Sequence, residues 1–246
     1  MAPREFHETI ASTQGRAVEL ARAGAPVGTR VRAVQQSAGR GRGDHRWESP
    51  AGGLWLSVVL PASPGDGALL PLAVGERLLE ALVARYALPL RLKWPNDLLV
   101  VGSPGRPRKL AGILVDQVPS PSLGAAAVVG IGVNVRVDPG RLSPELRGSV
   151  ASLHEFVDPA PSVDEVEELG AASALGAGDW LRSSGGPAQV VDACRRNLYG
   201  IGRRARVDGR MEGTISGLAA DGALLLERGT DRVSIRAGDL RVEESA

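Results

Sequence analysis

Only two lysines, Lys93 and Lys109, stand among 29 basic residues, the remaining 27 being arginines. Arginine keeps its proton and presents a wide planar fork, whereas lysine is a compact point charge that fits narrower sites. Both lysines open chemically suggestive runs. In Lys93-Trp94-Pro95-Asn96-Asp97, proline stops a strand ladder and Asn-Asp expose polar groups in a turn. In Lys109-Leu110-Ala111-Gly112-Ile113-Leu114, a glycine lies inside a strand pattern, which lets a ligand or another backbone approach closely. Gly130-Ile131-Gly132-Val133-Asn134 repeats that device and adds an amide able to bond an adenine edge or a neighbouring strand.

A further segment is Gly39-Arg40-Gly41-Arg42-Gly43-Asp44-His45-Arg46-Trp47. Its alternating glycines leave the backbone mobile and approachable, and its arginines offer forks that match phosphate or carboxylate. It is neither a dinucleotide fingerprint nor a P-loop, because the third glycine and the Gly-Lys-Ser/Thr are missing. Taken alone it fits a loop that orders over a polyphosphate, an arginine-glycine contact with nucleic acid, or a solvated turn.

The elements that must position these groups follow from pattern. A helix is predicted over 14–23, with Ser12 and Thr13 as N-cap residues and Gly24 past its end. Strands are predicted over 31–35, 54–60, 90–94, 98–101, 109–118 and 126–137, the 54–60 run being apolar enough for burial on both faces. Leu69, Leu72, Leu79, Leu82, Val83 and Tyr86 form one stripe of a long helix. The turn-rich 102–108 link suits a hairpin loop, and 141–200 reads as mostly helical, clearest over 190–199, with 170–187 left unassigned. After Gly200, short β-like runs at 205–207, 214–216, 223–226 and 233–235 alternate with turns such as Asp208-Gly209 and Asp221-Gly222. This pattern predicts a small barrel of five short strands.

Composition narrows the classes. With 246 residues, 28 acidic side chains and a net charge of +1, the chain lacks the broad basic footprint of a nucleic-acid binder. No apolar run approaches the ~18 residues of a membrane span, and the first residues carry no signal-type stretch, which predicts a cytoplasmic protein with no membrane partner. One cysteine, Cys194, with scattered His7, His45 and His154, excludes a disulfide framework and predicts no metal site.

Together, Ser12-Thr13, Gln36 to Arg42 with Trp47-Glu48-Ser49-Pro50, Lys93 to Asp97, Lys109 to Ile113 and Gly130 to Asn134 resemble the bacterial biotin protein ligases, the biotin–[acetyl-CoA carboxylase] ligases. The resemblance covers about residues 9–137 and continues more loosely to the C-terminus. It implies an α+β fold, a mixed β-sheet backed by helices of the class II aminoacyl-tRNA-synthetase-like, biotin–lipoate ligase type, in a catalytic domain over 1–199. A small SH3-like β-barrel would follow over 200–246. It also implies biotin and ATP as substrates with Mg2+, and a biotin carboxyl carrier protein domain of acetyl-CoA or related carboxylases as partner. The ligase pattern begins within about a dozen residues of Met1, so the implied form lacks the N-terminal DNA-binding domain and is a monomer or weak homodimer.

Site roles carry over where motifs match. Ser12 and Thr13 match a pair bonding the biotin ureido ring, and Gln14 stands where the family usually has Asn. Gln36 matches the wall of the biotin site. Arg40, Gly41 and Arg42 match the loop over the biotin carboxylate and phosphates, and Gly112 also falls to biotin. Lys109 matches the lysine holding the reacting oxygens, with Asp97 a candidate aid to the acceptor lysine. Trp47, Lys93, Asn96, Gly132 and Asn134 fall to ATP or the adenylate. Inside the loop, Asp44 replaces a glycine and His45 an arginine, with Arg46 one position later. The competing enzyme is a lipoate–protein ligase, and the competing non-enzyme is a nucleic-acid-binding module.

Overall fold

The protein is described here by a computed structural model covering residues 2–63, 66–102 and 106–243. In chain order its elements begin with β1 (Arg4–Ile10), α1 (Thr13–Arg22), β2 (Arg30–Gln36), β3 (Gly53–Pro61) and α2 (Asp66–Tyr86). They continue with β4 (Leu90–Lys93), β5 (Asp97–Val100), β6 (Arg108–Ser120), β7 (Gly124–Asn134), α3 (Val163–Arg182) and α4 (Gly186–Asn197). Five short strands close the chain: β8 (Arg204–Val207), β9 (Met211–Leu218), β10 (Leu224–Arg228), β11 (Asp231–Ile235) and β12 (Leu240–Val242).

The first seven strands form one mixed sheet in the order β1-β2-β3-β7-β6-β5-β4, parallel only between β1 and β2. Side chains alternate faces along a strand, and β3 is apolar on both for a reason. Leu54, Leu56, Val58 and Leu60 pack with Leu72, Leu79 and Leu82 of α2 and with Ala171 and Ala174 of α3. Val59, on the opposite face, packs with Ala17 and Ala21 of α1 and with Val31, Val118 and Val128. The sheet is therefore a layer between helices.

The last five strands form a second, antiparallel sheet ordered β11-β10-β9-β8-β12. Asp208 and Gly209 both adopt positive φ, +52° and +66°, as a tight hairpin turn between β8 and β9 requires. Among the described residues no ladder joins β11 to β12, so the strands predicted as a barrel pair here as an open sheet. The two sheets share one core, in which Leu92 and Trp94 lie with Ile215, Leu224 and Leu240. Trp94 Nε1 donates to the Gly222 carbonyl at 3.1 Å across the junction.

Sequence and structure differ at four further places. No element was predicted over 4–10, where β1 forms the polar edge of the large sheet, its Glu5 accepting from Arg16 of α1 through two bonds of 2.9 Å. An edge strand paired on one side needs no apolar alternation. Residues 141–162 are not helical but turns and short 3-10 segments, whereas the unassigned 170–187 stretch is mainly helix, the end of α3 and the start of α4. The fifth short strand, unnamed in the sequence, is β12. Ser103, Pro104 and Gly105 of the predicted hairpin link lie outside the described residues. Among the described residues no helix is long and apolar enough to cross a membrane.

Glu76 of α2 is 1% exposed and clasps the end of α4, its Oε1 accepting from Asn197 Nδ2 at 2.5 Å. Burial raises its carboxyl pKa above the usual 4.5, outweighing the opposing hydrogen bond from Asn197. A folded-state pKa raised for an acid means stability fully present below the unfolded value and lost as pH rises through the folded one. Glu76→Gln keeps an acceptor for Asn197 but cannot ionise. Its melting temperature minus that of the parent is expected to grow between about pH 5 and about pH 8. A difference that stays constant over that range would show that Glu76 titrates alike in the folded and unfolded chains, its pKa not raised by burial.

Candidate functional site

A cleft of about 860 Å³ opens between the sheets, walled by the start of α1, the 39–47 hairpin, β3, β6, β7 and the β4–β5 turn. Residues 239–242 of the second sheet close one side. Every candidate residue from the sequence lies on this wall except Asn134. That residue is buried behind the wall, donating from Nδ2 to the Lys109 carbonyl at 3.3 Å.

One end of the cleft is a buried polar network. Ser12 caps α1, and Gln36 Oε1 lies 2.7 Å from Thr13 N and 3.1 Å from Thr13 Oγ1. Ser57 Oγ lies 3.0 Å from both Thr13 Oγ1 and Gln14 Oε1. Gln14 Nε2 donates to the Val128 carbonyl at 2.9 Å and to Asp116 Oδ2 at 3.2 Å. Both amide hydrogens of Gln14 are thus engaged within the protein, and toward a ligand it can only accept.

The floor is made of glycine. Gly112 of β6 and Gly132 of β7 face each other in register, and the Trp47 indole lies on them. A Cβ at Gly112 would stand 2.6 Å from Trp47 Cζ3, and one at Gly132 would stand 2.9 Å from Trp47 Cε2. Trp55 meets Trp47 edge-on at 6.3 Å, and Leu142 and Leu146 join that cluster. The Trp47 Nε1 donor is buried without a hydrogen-bond partner among the described residues.

Charge gathers beside this floor. Lys109 Nζ lies 2.7 Å from Asp97 Oδ1 and 4.6 Å from the centre of the Trp47 ring. Asn96 donates from Nδ2 to the Ile113 carbonyl at 2.7 Å and accepts from Ile113 N at 2.9 Å, pinning the turn that carries Asp97. Lys93 lines the same wall. In the hairpin, Gly41 N donates to His45 O at 2.8 Å and Trp47 N to Gly39 O at 3.0 Å. Arg40 pairs with Asp116 at 3.1 Å, and Arg42 Nη1 donates to the Gly238 carbonyl at 3.4 Å.

Sequence reasoning missed Ser57, Asp116, Tyr199 and the 239–242 segment. Ser57 carried a signal, the lone polar residue in the apolar 54–60 run. Asp116 carried one as well, ending the apolar run that starts at Leu110. Residues 239–242 reach the cleft through the packing of the second sheet, and Tyr199 through its N–H, which donates to the Leu92 carbonyl of β4 at 2.8 Å; no local pattern encodes either.

A cleft with acceptors buried at one end, and Lys109 beside an aromatic floor at the other, suits an elongated acid joined to a nucleotide. The chain belongs to the biotin/lipoate A/B protein ligase family, whose model matches residues 7–134. It is 28% identical over 242 residues to the bifunctional ligase/repressor BirA of Bacillus subtilis, covering 96% of this chain and 73% of that protein. It is 36% identical over 167 residues to the biotin–[acetyl-CoA-carboxylase] ligase of Paracoccus denitrificans, covering 60% and 65% respectively. Its fold is that of the biotin protein ligase from Aquifex aeolicus solved with biotin and ATP, with a TM-score of 0.80, 24% identity and full coverage of both chains.

A methyl group on the floor tests the geometry. Gly112→Ala is expected to lift the Trp47 indole, weakening ATP binding by about tenfold, the loss of roughly one aromatic contact. Tryptophan emission should change in Gly112→Ala but not when the same change is made in a Trp47→Phe background. Unaltered emission and ATP affinity would mean that the ring does not rest on the floor in solution.

Proposed function

We propose that the protein is an ATP-dependent biotin protein ligase. It activates biotin as biotinyl-5′-AMP and transfers the biotinyl group to a lysine of a biotin carboxyl carrier protein domain. The observation that carries this reading is one cleft holding the Thr13–Ser57–Gln14 acceptors at one end and Lys109 beside Trp47 at the other.

In the first step a biotin carboxylate oxygen attacks the α-phosphorus of ATP and pyrophosphate leaves. Two anions must meet, and Lys109, Arg40 and Arg42 offset their repulsion while the cleft orients them. Magnesium enters with the nucleotide, as part of the substrate. It is commonly held by one or two carboxylates plus substrate phosphates, so the absence of a three-ligand cluster among the described residues does not bear against it. Ser12, Thr13, Gln14 and Gln36 take the ureido ring and Gly41 leaves room for the acid, whereas Gly112, read from the sequence as a biotin contact, acts through the Trp47 ring that lies on it. Trp47, resting on Gly132, faces the nucleotide with Lys93 and Asn96, while Asn134 acts from behind the wall by fixing the Lys109 backbone.

In the second step the carrier lysine, as free amine, attacks the acyl carbon and AMP leaves, the amine proton passing to a base. Asp97, 15% exposed and paired with Lys109, stands where it orients that amine. The 39–47 hairpin keeps water from the anhydride. Residues 1–199 form the catalytic domain, and the open second sheet that follows is a small SH3-like module. Both ATP and the carrier belong to the cytoplasm, where this reading places the enzyme as a monomer or weak homodimer.

Within the same family, a lipoate ligase is the competing reading. A dithiolane ring offers no N–H, whereas the buried end accepts and cannot donate through Gln14, which favours a ureido ligand. Pyrophosphate exchange with each acid decides between them: biotin should support it and lipoate should not. Biotin- and ATP-dependent labelling of a purified carrier domain then tests transfer.

Two variants test the roles. Lys109→Arg is expected to lower adenylate formation by tenfold or more, roughly the loss of one charge-assisted bond, because a planar fork cannot sit against Asp97 and the Trp47 ring as Nζ does. A rate within threefold of the parent would remove Lys109 from that role. Arg42→Gly is expected to release the adenylate roughly 10- to 150-fold faster. Freed adenylate would label lysines of a bystander albumin. Loss of carrier labelling without such leakage would assign Arg42 to catalysis instead of retention.

A further inference from the structure

We propose that Asp116, a residue absent from the sequence-derived site, is a positioning residue that couples the ring-binding end of the cleft to the arginine hairpin. This rests on the function proposed above and names a determinant of its acid specificity. Asp116 stands on β6 opposite Val128 of β7. Its Oδ2 takes two donors from separate parts of the molecule, Gln14 Nε2 at 3.2 Å and Arg40 Nη1 at 3.1 Å.

The Gln14 contact fixes the orientation of a buried amide. A carboxylate only accepts, so it holds the NH2 edge of Gln14 toward β6, together with the Val128 carbonyl. The amide oxygen is then turned toward Ser57 and the cleft. This orientation gives the ring end its preference for N–H donors. Reversing it would present hydrogens to the ligand and orphan the donors on the protein side. The Gln side chain that replaces the family's usual Asn supplies the length by which the amide reaches Asp116.

The Arg40 contact anchors the hairpin. Its own backbone bonds close the turn between Gly41 and His45 but do not tie the turn to the sheet. The charge-assisted pair from Arg40 to Asp116 joins it to β6 on the same oxygen that holds Gln14. The hairpin is thus held near the cleft before substrates arrive, which lowers the ordering cost of binding. Because both partners share Asp116, a change at one is felt at the other.

The experiment compares Asp116→Asn, near in shape and able to accept from Gln14 but uncharged toward Arg40, with Asp116→Ala. Amide exchange at Gly41 and Trp47 is read in the ligand-free protein, and Michaelis constants for biotin and ATP are read in adenylation. In both variants exchange should quicken, and in Asp116→Ala the KM for biotin should rise about tenfold while that for ATP moves less than about twofold. In an Arg40→Ala background, Asp116→Ala should add less than its effect alone. Unchanged exchange in both variants overturns the proposal, as does an equal rise in both Michaelis constants or full additivity with Arg40→Ala. If the parent forms no adenylate from biotin and ATP, the proposed function fails, while the exchange measurement still decides the Asp116 tether.

Discussion

The site depends on an absence: two facing glycines leave the β6–β7 ladder without side chains at one level. Glycine weakens a strand, and the sheet tolerates it here because both strands are paired on both sides. The bare patch is deep enough to take the Trp47 ring, which ends the arginine hairpin. From the ring the remaining geometry follows: Lys109 over its face, Trp55 at its edge, and Leu142 and Leu146 in the cluster that encloses it. Any side chain at this level would stand the hairpin away from the sheet and open the cleft to water.

At the opposite end the governing quantity is a shortage of hydrogens. Gln36 Oε1, Thr13 Oγ1, Ser57 Oγ and Gln14 Oε1 are joined by three contacts, yet only the two hydroxyls carry protons to fill them. The Thr13 backbone N–H supplies Gln36 but nothing further along the row. An acceptor-rich pocket of buried groups is costly when empty of donors and favours a ligand that brings N–H. Substrate choice is thus a matter of proton count as much as shape.

What the sequence made legible divides along physical lines. The 54–60 strand, the α2 stripe and the Asp208-Gly209 turn were readable because burial and turn geometry constrain residue types locally. β1 was not readable, since a polar edge strand is chosen by its partner β2 and by the Glu5–Arg16 pair. Residues 141–162 carry enough apolar side chains to resemble helix, but Leu142 and Leu146 are called to the Trp47 cluster instead. In the site, the residue types and spacings located the wall. They did not locate Asp116, whose partners lie 102 and 76 residues away in sequence. Asn134, which the sequence assigns to the nucleotide, sets its amide against the Lys109 carbonyl, a contact that only the pairing of β6 with β7 creates.

The choice of cation follows from the same geometry. Both lysines of the chain line the cleft, together with arginines such as Arg40 and Arg42, while Arg16, Arg30 and Arg32 bind carboxylates on the flanks, where a broad fork meets two oxygens or two residues. At the cleft the demands differ. Lys109 must touch Asp97 at 2.7 Å and still lie against an indole that itself rests on the sheet. A compact ammonium on a flexible stem meets both and leaves hydrogens free for a substrate oxygen. Asp97 reaches this position because Asn96 staples the turn to β6 at Ile113, and Asn134 holds Lys109 from behind. Two amides that never line up as charges therefore set where the charges stand, and the placement of one lysine is the product of three strands.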